Sequence, residues 1–493
     1  MTVEQKTQAV IVGGGTAGWM AAASLSKLLG KSVDVTLVES DEISTVGVGE
    51  ATIPPIRTLH KLLGIDEQEF IRATNATFKL GISFENWGDV SQDYIHSFGV
   101  TGKECWAGEF HHFWLRGKEK GHHIPFGEYC YELLAAKAQK FGMSAQQPIN
   151  FAYHLDATKY AQYLRKFSEK HGTKRVEGKV VHVAQDPQTG FIQSITLENG
   201  QTVEGDLFID CTGFRGLLIE QTLHTGYDDW SHWLASDSAV AVQTESTQAP
   251  LPYTRSIAHE FGWQWQIPLQ NRVGNGLVYS SKFVDDAAAT QRLLENINGN
   301  TITDPRVIKF KTGRRRKGWN KNCVALGLAS GFIEPLESTS IHLIMTGIVR
   351  LMRLFPFDGI KQSIIDEYNE KLTSELNSIR DFIVMHYKVT ARKDSDMWNH
   401  YRSMEVPDSL THKLALFEET GRVFLDDGDV FRVDSWTQVM LGQGIVPKQY
   451  HKIAAQMSDQ ELGHFLAGIH QANKQAVERL PSHQDFIKKY CKS

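Results

Sequence analysis

The sequence predicts an α/β fold in which a Rossmann-like domain is interleaved with a second β-sheet layer and followed by a mainly helical C-terminal subdomain. A glycine-rich turn near the N-terminus lies between a β-branched run and a helical segment. Two later segments repeat a buried strand followed by a tight turn, and after about residue 360 apolar residues recur at helical spacing. We therefore expect residues 1–360 to form the interleaved domain and residues 361–493 the helical subdomain.

The first element is TQAVIVGGGTAGWMAAASLSKLL (residues 7–29), which predicts a strand, a glycine turn and a helix. Its turn matches GxGxxG and provides the candidate cofactor-binding residues Gly13, Gly15, Thr16, Ala17 and Gly18. The next strand, VDVTLVES, reaches Glu39 roughly twenty residues later. Glycine lets the backbone approach a pyrophosphate at the helix N-terminus, and Glu39 can accept a hydrogen bond from a ribose hydroxyl. Together these elements predict a dinucleotide site, although Glu39 alone would also suit a surface carboxylate at a strand end.

Two further segments, GDLFIDCTGFRG (205–216) and CVALGLASGFIEPLES (323–338), each predict a buried strand and a small-residue turn. FAD enzymes return to their cofactor in this way, so we expect the turns at Gly213 and near Leu328 to adjoin the same site. Between these elements, residues 173–203 alternate like hairpin strands. No second GxGxxG stands between a strand and a helix, because GNGLVY (274–279) leads into another strand. The sequence thus predicts no separate NAD(P)H domain and a flavin that is reduced from outside.

The stretch GWQWQIPL (262–269) places two indoles two positions apart. In an extended segment, alternation puts Trp263, Trp265 and Ile267 on one face and the two glutamines on the other, and Pro268 ends the run. Periodicity alone predicts a half-buried strand with aromatic residues in a core.

Composition limits the class of protein. The 493 residues are 41% hydrophobic and 22% charged, as in soluble proteins, and a net charge of −5 gives no basic field that would attract nucleic acid. The five cysteines are scattered and include no CxxC pair, so we expect neither disulfides nor zinc, and a cytoplasmic location. The doublets His111-His112 and His122-His123 lack metal-ligand spacing, so no metal is expected.

The N-terminal run of residues 7–26 carries no charge, which raises the question of a signal sequence or a membrane span. No positively charged segment precedes it, and four of its residues are glycines that suit a turn better than an apolar helix. We therefore expect an unprocessed chain without a membrane anchor.

Several motifs resemble those of the flavin-dependent tryptophan halogenases in order and spacing over residues 1 to about 400. The motifs are GGGTAGW (13–19), GVGEATIP (47–54), TFKLGISFENW (77–87), HSFG (96–99), AYHLDA (152–157), WQWQIP (263–268), EPLEST (334–339) and RDFIVMHY (380–387). The resemblance implies an FAD-binding fold of the flavin monooxygenase type. It also implies a separate flavin reductase that supplies FADH2, and hypohalous acid made from oxygen and chloride or bromide to halogenate an electron-rich, indole-type aromatic substrate. A flavin-dependent aromatic hydroxylase and a non-catalytic flavin-binding protein remain the alternatives, because all three share one fold.

The resemblance also assigns roles to residues. It implies that Lys79 holds the oxidant and that Glu337 acts as the catalytic carboxylate, with Glu334 as its competitor and a helix cap as the structural alternative for either residue. For a lone lysine the alternative is a solvated helix position. The halide would bind the backbone at Thr339 and Ser340, at the start of a helix expected around Ser338. Because the family has glycine where this chain has Ser340, the preference between chloride and bromide stays open.

The remaining implied positions line the cofactor and the substrate. The resemblance adds Ala51, Gly213, Leu328, Trp263, Trp265, Ile267 and Pro268 at the flavin, and His96, Phe98 and Pro54 at the substrate. The segment DSDMWNHYRSMEVPDSL (394–410) lacks the pattern that holds the amino acid head group in tryptophan-specific members. An unpaired zwitterion is costly to bury, so we expect a more open pocket for indole or a larger aromatic. The natural substrate, the regiochemistry, the reductase and the oligomeric state, a homodimer included, stay open.

Overall fold

The computed structural model describes residues 6–43, 49–103, 105, 108–426 and 428–492. Its helices are α1 (Thr16–Leu29), α2 (Ile56–Leu63), α3 (Glu67–Thr74), α4 (Phe110–Glu119), α5 (Tyr131–Lys137), α6 (Ala157–Lys170), α7 (Asp286–Glu295), α8 (Ser340–Arg353), α9 (Gln362–Lys388), α10 (Asp396–Ser403), α11 (Asp408–Thr420), α12 (Val433–Gly442), α13 (Asp459–Glu478) and α14 (His483–Tyr490).

The strands are short, and most belong to one of two large sheets. They are β1 (Thr7–Val12), β2 (Val33–Glu39), β3 (Gly49–Ala51), β4 (Thr77–Lys79), β5 (Gly81–Glu85), β6 (Tyr94–Ser97), β7 (Ala152–Asp156), β8 (Lys174–Glu177), β9 (Val180–Gln185), β10 (Ile192–Leu197), β11 (Thr202–Glu204), β12 (Leu207–Asp210), β13 (Tyr227–Asp229), β14 (Ser238–Glu245), β15 (Thr254–His259), β16 (Gly262–Pro268), β17 (Arg272–Tyr279), β18 (Arg306–Lys309), β19 (Gly313–Arg315), β20 (Trp319–Asn320), β21 (Cys323–Ala325) and β22 (Gly331–Phe332).

The chain divides into two compact units, each built from three separate segments. The first unit extends to Ala76 and continues with Leu155–Asp237 and Lys309–Leu376. The second unit contains Thr77–His154 and Ser238–Ile308 and continues from Asn377. The prediction of an interleaved α/β fold is confirmed, whereas the expected domain boundary at residue 360 stays a prediction.

The first unit is organised around a sheet with the strand order β20-β21-β12-β1-β2-β8. Strand β1 pairs in parallel with β2 and with β12, and β12 pairs in parallel with β21. The predicted returns of the chain therefore place three distant strands side by side, with their carboxyl ends at one edge of the sheet. Apolar residues such as Val10, Phe208 and Leu218 bury one face. The hairpins predicted for residues 173–203 are confirmed from β9 to β11, which pair antiparallel. The prediction is wrong for β8, which pairs in parallel with β2 and so joins the sheet of the first unit.

The second unit contains the other large sheet, in the order β18-β14-β17-β16-β15-β5-β6, and the antiparallel pair of β4 with β7. Helices α4 and α13 enclose an apolar cluster that includes Phe110, Phe126 and Leu466. From α9 onward the secondary structure is predominantly helical, as the spacing of apolar residues predicted. Among the helices that the structure describes, none has the length and apolar character needed to cross a bilayer.

Candidate active site

The glycine turn after β1 is shaped by close backbone contacts. Gly13 has a φ of +113°, and a Cβ there would lie 2.3 Å from the Cys211 carbonyl oxygen. A Cβ on Gly18 would lie 1.9 Å from the Gly13 oxygen, whereas one on Gly15 would meet no atom within 4 Å. Gly15 is the N-cap of α1 and Thr16 its first residue. The first and third glycines of the motif therefore allow close contact between backbone segments. The open space at Gly15, beside the helix N-terminus, fits the pyrophosphate of a dinucleotide.

Glu39 lies at the end of β2 with its carboxylate over the glycine turn, because a Cβ on Gly14 would collide with Glu39 Oε2. Arg175 Nε donates to Glu39 Oε1 at 2.7 Å, and Arg165 Nη1 lies 3.7 Å from the same oxygen. The side chain is 12% exposed, so the alternative of a surface carboxylate is wrong. The two arginines come from β8 and α6, which sequence reasoning did not connect with Glu39.

The turn after β12 is organised by Asp210, a buried residue that sequence reasoning missed. Its carboxylate accepts from the Thr212 amide and hydroxyl at 2.9 and 2.6 Å and from the Leu218 and Ile219 amides at 2.8 and 2.9 Å. The Leu326 amide donates to the Asp210 carbonyl oxygen at 2.9 Å. Hydrogen bonds to a charged carboxylate are strong, so Asp210 holds the turn that follows β12 in one conformation. The only sequence signal is an acidic residue at the end of an apolar strand.

The other candidate cofactor positions of the first unit lie near strand ends. Gly213 has a φ of +68° and open space around its Cβ position, and Leu328 is half-buried in the 3-10 turn Gly327–Ala329. Ala51 is buried at the end of β3, and Pro54, the candidate substrate residue, is half-buried shortly after it. Residues 47 and 48 of the GVGEATIP motif lie outside the described residues.

The segment from Glu334 to Ser340 forms a 3-10 turn and the start of α8. Glu334, Glu337 and Thr339 are all fully buried. The helix begins at Ser340, two residues later than expected, because Ser338 has a left-handed conformation with a φ of 59°. Thr339 is the N-cap and makes no side-chain capping bond.

The Thr339 hydroxyl is an orphaned polar group at this helix start. Its oxygen is buried and has no hydrogen-bond partner among the residues that the structure describes. The first amides of α8 also have no acceptor within the helix. Donors of this kind at the positive end of a helix dipole fit a small anion such as a halide.

Lys79 ends β4 in the second unit and is fully buried, so a solvated helix position is wrong. Its backbone pairs with Ala152 of β7, and its Nζ lies 5.1 Å from the centroid of the Phe98 ring. That distance is within the range of a cation–π contact. The structure thus brings together two residues that the resemblance assigned separately, one to the oxidant and one to the substrate.

The HSFG segment is held by polar contacts that sequence reasoning missed. The Phe98 amide donates to the Leu80 carbonyl oxygen at 2.9 Å, and the Ser97 amide donates to Gln438 Oε1 at 2.9 Å. A Cβ on Gly99 would lie 1.8 Å from Glu132 Oε2, so a larger residue there would displace the Glu132 carboxylate. These contacts link the segment to α12 and α5, which lie far along the chain.

The buried His96 ring belongs to an aromatic cluster, defined as His96, Phe382, Phe431 and Trp436. The ring centroid of His96 lies 5.7 Å from that of Phe382 and 6.3 Å from that of Phe431. Phe382 stacks on Phe431 at 3.8 Å and meets Trp436 edge-on at 4.9 Å. Three of the four rings come from the C-terminal part of the chain, for which the sequence predicted only helices.

The WQWQIP segment is confirmed as strand β16, which pairs with β15 and β17. Trp263, Trp265 and Ile267 are buried on one face, as alternation predicted. The expectation of a half-buried strand is wrong at Gln264, which is fully buried and donates to the Asn296 carbonyl oxygen at 3.1 Å. The loop after α7 covers this face, and no local pattern indicates such cover.

The GNGLVY segment, which is not a nucleotide motif, leaves space for the indole of one tryptophan. Gly276 of β17 lies opposite Trp265 of β16. A Cβ on Gly276 would lie 2.0 Å from the Trp265 ring. The indole nitrogen of Trp265 is buried and has no hydrogen-bond partner in the described part of the chain. Glycine at this position therefore sets the place of the Trp265 ring.

Comparison with known proteins decides the family. The profile described as tryptophan halogenase matches residues 8–459 of the chain. The chain belongs to the tryptophan halogenase family. A tryptophan 7-halogenase, RebH of Lentzea aerocolonigenes, is 32% identical, and the match covers 97% of this chain and 98% of that protein.

Solved structures of halogenases are similar over almost the whole chain. Xcc4156, a flavin-dependent halogenase from Xanthomonas campestris, has a TM-score of 0.97 and 53% identity over 99% of this chain and 98% of its own. BrvH, a flavin-dependent halogenase from Brevundimonas sp. BAL3, has a TM-score of 0.95 and 41% identity over 99% of both chains. The Rossmann-like α/β fold predicted from the sequence is therefore confirmed.

Membership of the family establishes the type of enzyme. This tryptophan halogenase family member is a flavin-dependent oxidoreductase that uses FAD, reduced by a separate flavin reductase, and a halide to halogenate an aromatic substrate. The prediction of an FAD-dependent halogenase is thereby confirmed.

Proposed function

We propose that Lys79 holds hypohalous acid and delivers its halogen to an electron-rich aromatic ring of the indole type. The observation that carries this proposal is the complete burial of Lys79 with its Nζ 5.1 Å from the Phe98 ring. A buried amine donates its hydrogen bonds within the protein or to a ligand, because bulk water does not reach it. An aromatic neighbour gives the same location an apolar side that suits an aromatic substrate.

The first unit is proposed to hold the cofactor through its glycine turn and the surrounding strand ends. The open space at Gly15 would take the pyrophosphate, and Glu39 Oε2 over the turn would accept from the ribose. When bound, reduced FAD supplies two of the four electrons that reduce oxygen to the level of water, while the halide supplies the other two and becomes hypohalous acid. The further assignments of Ala51, Gly213, Leu328 and the Trp263 to Pro268 strand to the flavin stay predictions.

The halide is proposed to bind at the start of α8. The unpartnered Thr339 hydroxyl and the amides of Thr339 and Ser340 would donate to it. Ser340 adds a hydroxyl at a position where the resemblance led us to expect glycine, and this hydroxyl is a further candidate donor. A smaller halide would gain more from such an added donor than a larger one, because its charge is more concentrated.

Halogen transfer is proposed to proceed in one of two ways at Lys79. The ammonium can hydrogen-bond the oxygen of hypohalous acid, or the neutral amine can form an N–X bond with loss of water. In either case the ring carbon takes the halogen as a cation equivalent and must then lose its proton. Glu337 is proposed as the base that accepts this proton.

The substrate is proposed to be indole or a larger electron-rich aromatic rather than free tryptophan. The aromatic cluster around His96 supports an apolar ring as the bound group.

The five cysteines are all free thiols, which supports the proposed cytoplasmic location. A homodimer is open to test by light scattering.

The test is product analysis with the full chain, FAD, a flavin reductase with its nicotinamide donor, and bromide or chloride. A panel of indoles, phenols and tryptophan would be analysed by mass spectrometry. We expect brominated or chlorinated products that require the halide. A product that carries oxygen and forms without halide would instead support a hydroxylase and contradict the proposal.

A further inference from the structure

A network of three hydrogen bonds connects the strand of Lys79 with β7, with the start of β15 and with the end of the WQWQIP strand. Thr77 Oγ1 donates to the Pro268 carbonyl oxygen at 2.7 Å. Thr77 Oγ1 also lies 3.0 Å from His154 Nδ1, and His154 Nε2 lies 2.9 Å from Thr254 Oγ1. Thr77, His154 and Thr254 are all buried. Bulk solvent therefore does not reach these groups, and hydrogen bonds that are chained in this way strengthen one another.

The direction of each hydrogen bond follows from the groups involved. A carbonyl oxygen only accepts, so the single proton of the Thr77 hydroxyl points at Pro268. The Thr77 oxygen must then accept from His154, which places a proton on His154 Nδ1. Burial holds the pKa of His154 well below its usual range, and the charges of Lys79 and His483 lower it further. In the neutral ring, Nε2 therefore accepts from the Thr254 hydroxyl.

The network lies at the junction of the β4–β7 pair with the large sheet of the second unit. Thr77 pairs with His154 and Lys79 with Ala152, so Thr77 and Lys79 share one face of β4, about 7 Å apart. Thr254 begins β15, and Pro268 ends its antiparallel neighbour β16. The Leu80 amide adds a backbone bond of 2.7 Å to the Pro252 carbonyl oxygen. Thr77, on the same strand as Lys79, thus contacts the end of β16 directly.

We propose that His154 is a positioning residue for halogen transfer, because its Nδ1–H tautomer holds the Thr77 hydroxyl on Pro268 and so fixes Lys79 relative to the end of β16. This inference rests on the proposed role of Lys79. Without the network, the Lys79 amine would no longer stay at one distance from the oxidant and the ring. Small displacements of a reacting group cost large factors in rate, so hypohalous acid would escape instead of being transferred.

The first test compares two substitutions at one position. Thr77→Val keeps the shape of the side chain but removes the hydroxyl, whereas Thr77→Ser keeps the hydroxyl. Thr390→Val is the matched control, because Thr390 is also buried in the second unit and donates to a carbonyl oxygen, that of Trp87, at 2.6 Å. For each enzyme, brominated indole is measured per molecule of reduced flavin oxidised. Hypobromous acid that escapes is measured by the oxidation of a dye in solution.

We expect Thr77→Val to lower product per oxidised flavin about tenfold and to raise trapped hypobromous acid, as expected for loss of one positioning contact. Thr77→Ser and Thr390→Val should stay within about twofold of the wild-type ratio. Equal ratios in Thr77→Val and Thr77→Ser, from folded enzymes, would overturn the inference. A wild-type enzyme that makes no halogenated product would instead refute the proposed function itself.

The second test does not depend on turnover. His154→Asn keeps an N–H near the position of Nδ1, whereas His154→Leu removes it, so the first should retain more coupled product than the second. Nitrogen NMR of the full chain with labelled histidine, assigned through the signal lost in His154→Asn, reports the tautomer. We expect a neutral ring with its proton on Nδ1. A proton on Nε2, or a charged ring at neutral pH, contradicts the inference even if Thr77→Val does not fold.

Discussion

Replacing Gly276 by alanine should displace the Trp265 indole. The added Cβ would lie 2.0, 2.2 and 2.6 Å from three carbon atoms of the ring, whereas ordinary contact begins near 3.4 Å. The ring must move by about 1 Å or more in a buried site, and overpacking of this kind costs about 1–3 kcal/mol. Alanine also stabilises the folded protein by about 0.5–1 kcal/mol, because it restricts the unfolded chain more than glycine does. With both ranges taken at their centres, the net expected loss is about 1 kcal/mol in the free energy of unfolding.

The assay combines unfolding by urea with near-ultraviolet circular dichroism and halogenation of indole. We expect a lower midpoint, a changed tryptophan band, and less brominated product per oxidised flavin. Gly468→Ala is the control, because it lies within α13 and its Cβ would meet no atom within 4 Å. That change should stabilise the protein by about 0.5–1 kcal/mol. The reasoning is refuted if Gly276→Ala unfolds at the wild-type midpoint with an unchanged tryptophan band.

Two further substitutions and a substrate competition test the proposed site. Lys79→Ala should still oxidise reduced FAD and release hypohalous acid but transfer almost no halogen to indole. Lys388→Ala, at a half-buried lysine of the second unit, is the control and should transfer normally. Equal product from both enzymes would remove Lys79 from the mechanism. Gly15→Leu should fold, because the added side chain meets open space, but should weaken FAD binding at least about tenfold in a fluorescence titration. In a competition between equal concentrations of indole and tryptophan, halogenated indole should dominate, and the opposite ratio would contradict the open pocket.

The fold was predictable where local patterns coincide with tertiary contacts. The GxGxxG turn, the strand that ends at Glu39 and the strand before Gly213 all combine a periodic apolar run with glycines that the backbone requires. Partners of these elements were not predictable. Arg175 reaches Glu39 only because β2 and β8 pair in a particular register, and register between distant strands is not encoded in either strand alone.

The candidate site in the second unit shows the same division. The resemblance identified Lys79, but β4 has only three residues and offers no periodicity from which a buried strand could be inferred. Gln264 alternates with tryptophans and so suggested a polar face, yet a distant loop covers it. The bonds of His154 join three segments of the chain, those of Thr77, His154 and Thr254, and histidine has no local pattern that indicates its partners.

The strand order of the first unit has a consequence for how the protein is made. Strands β1, β12 and β21 are neighbours in the sheet, yet about 300 residues separate the first from the last. At a synthesis rate of about 5–20 residues per second, β1 would wait roughly 15–60 s for β21 to leave the ribosome. We expect nascent chains that stop before residue 323 to expose the edge of β12 where β21 would pair, to associate with chaperones and to retain no FAD. The nucleotide turn is thus among the first parts of this enzyme to be synthesised and among the last to become functional.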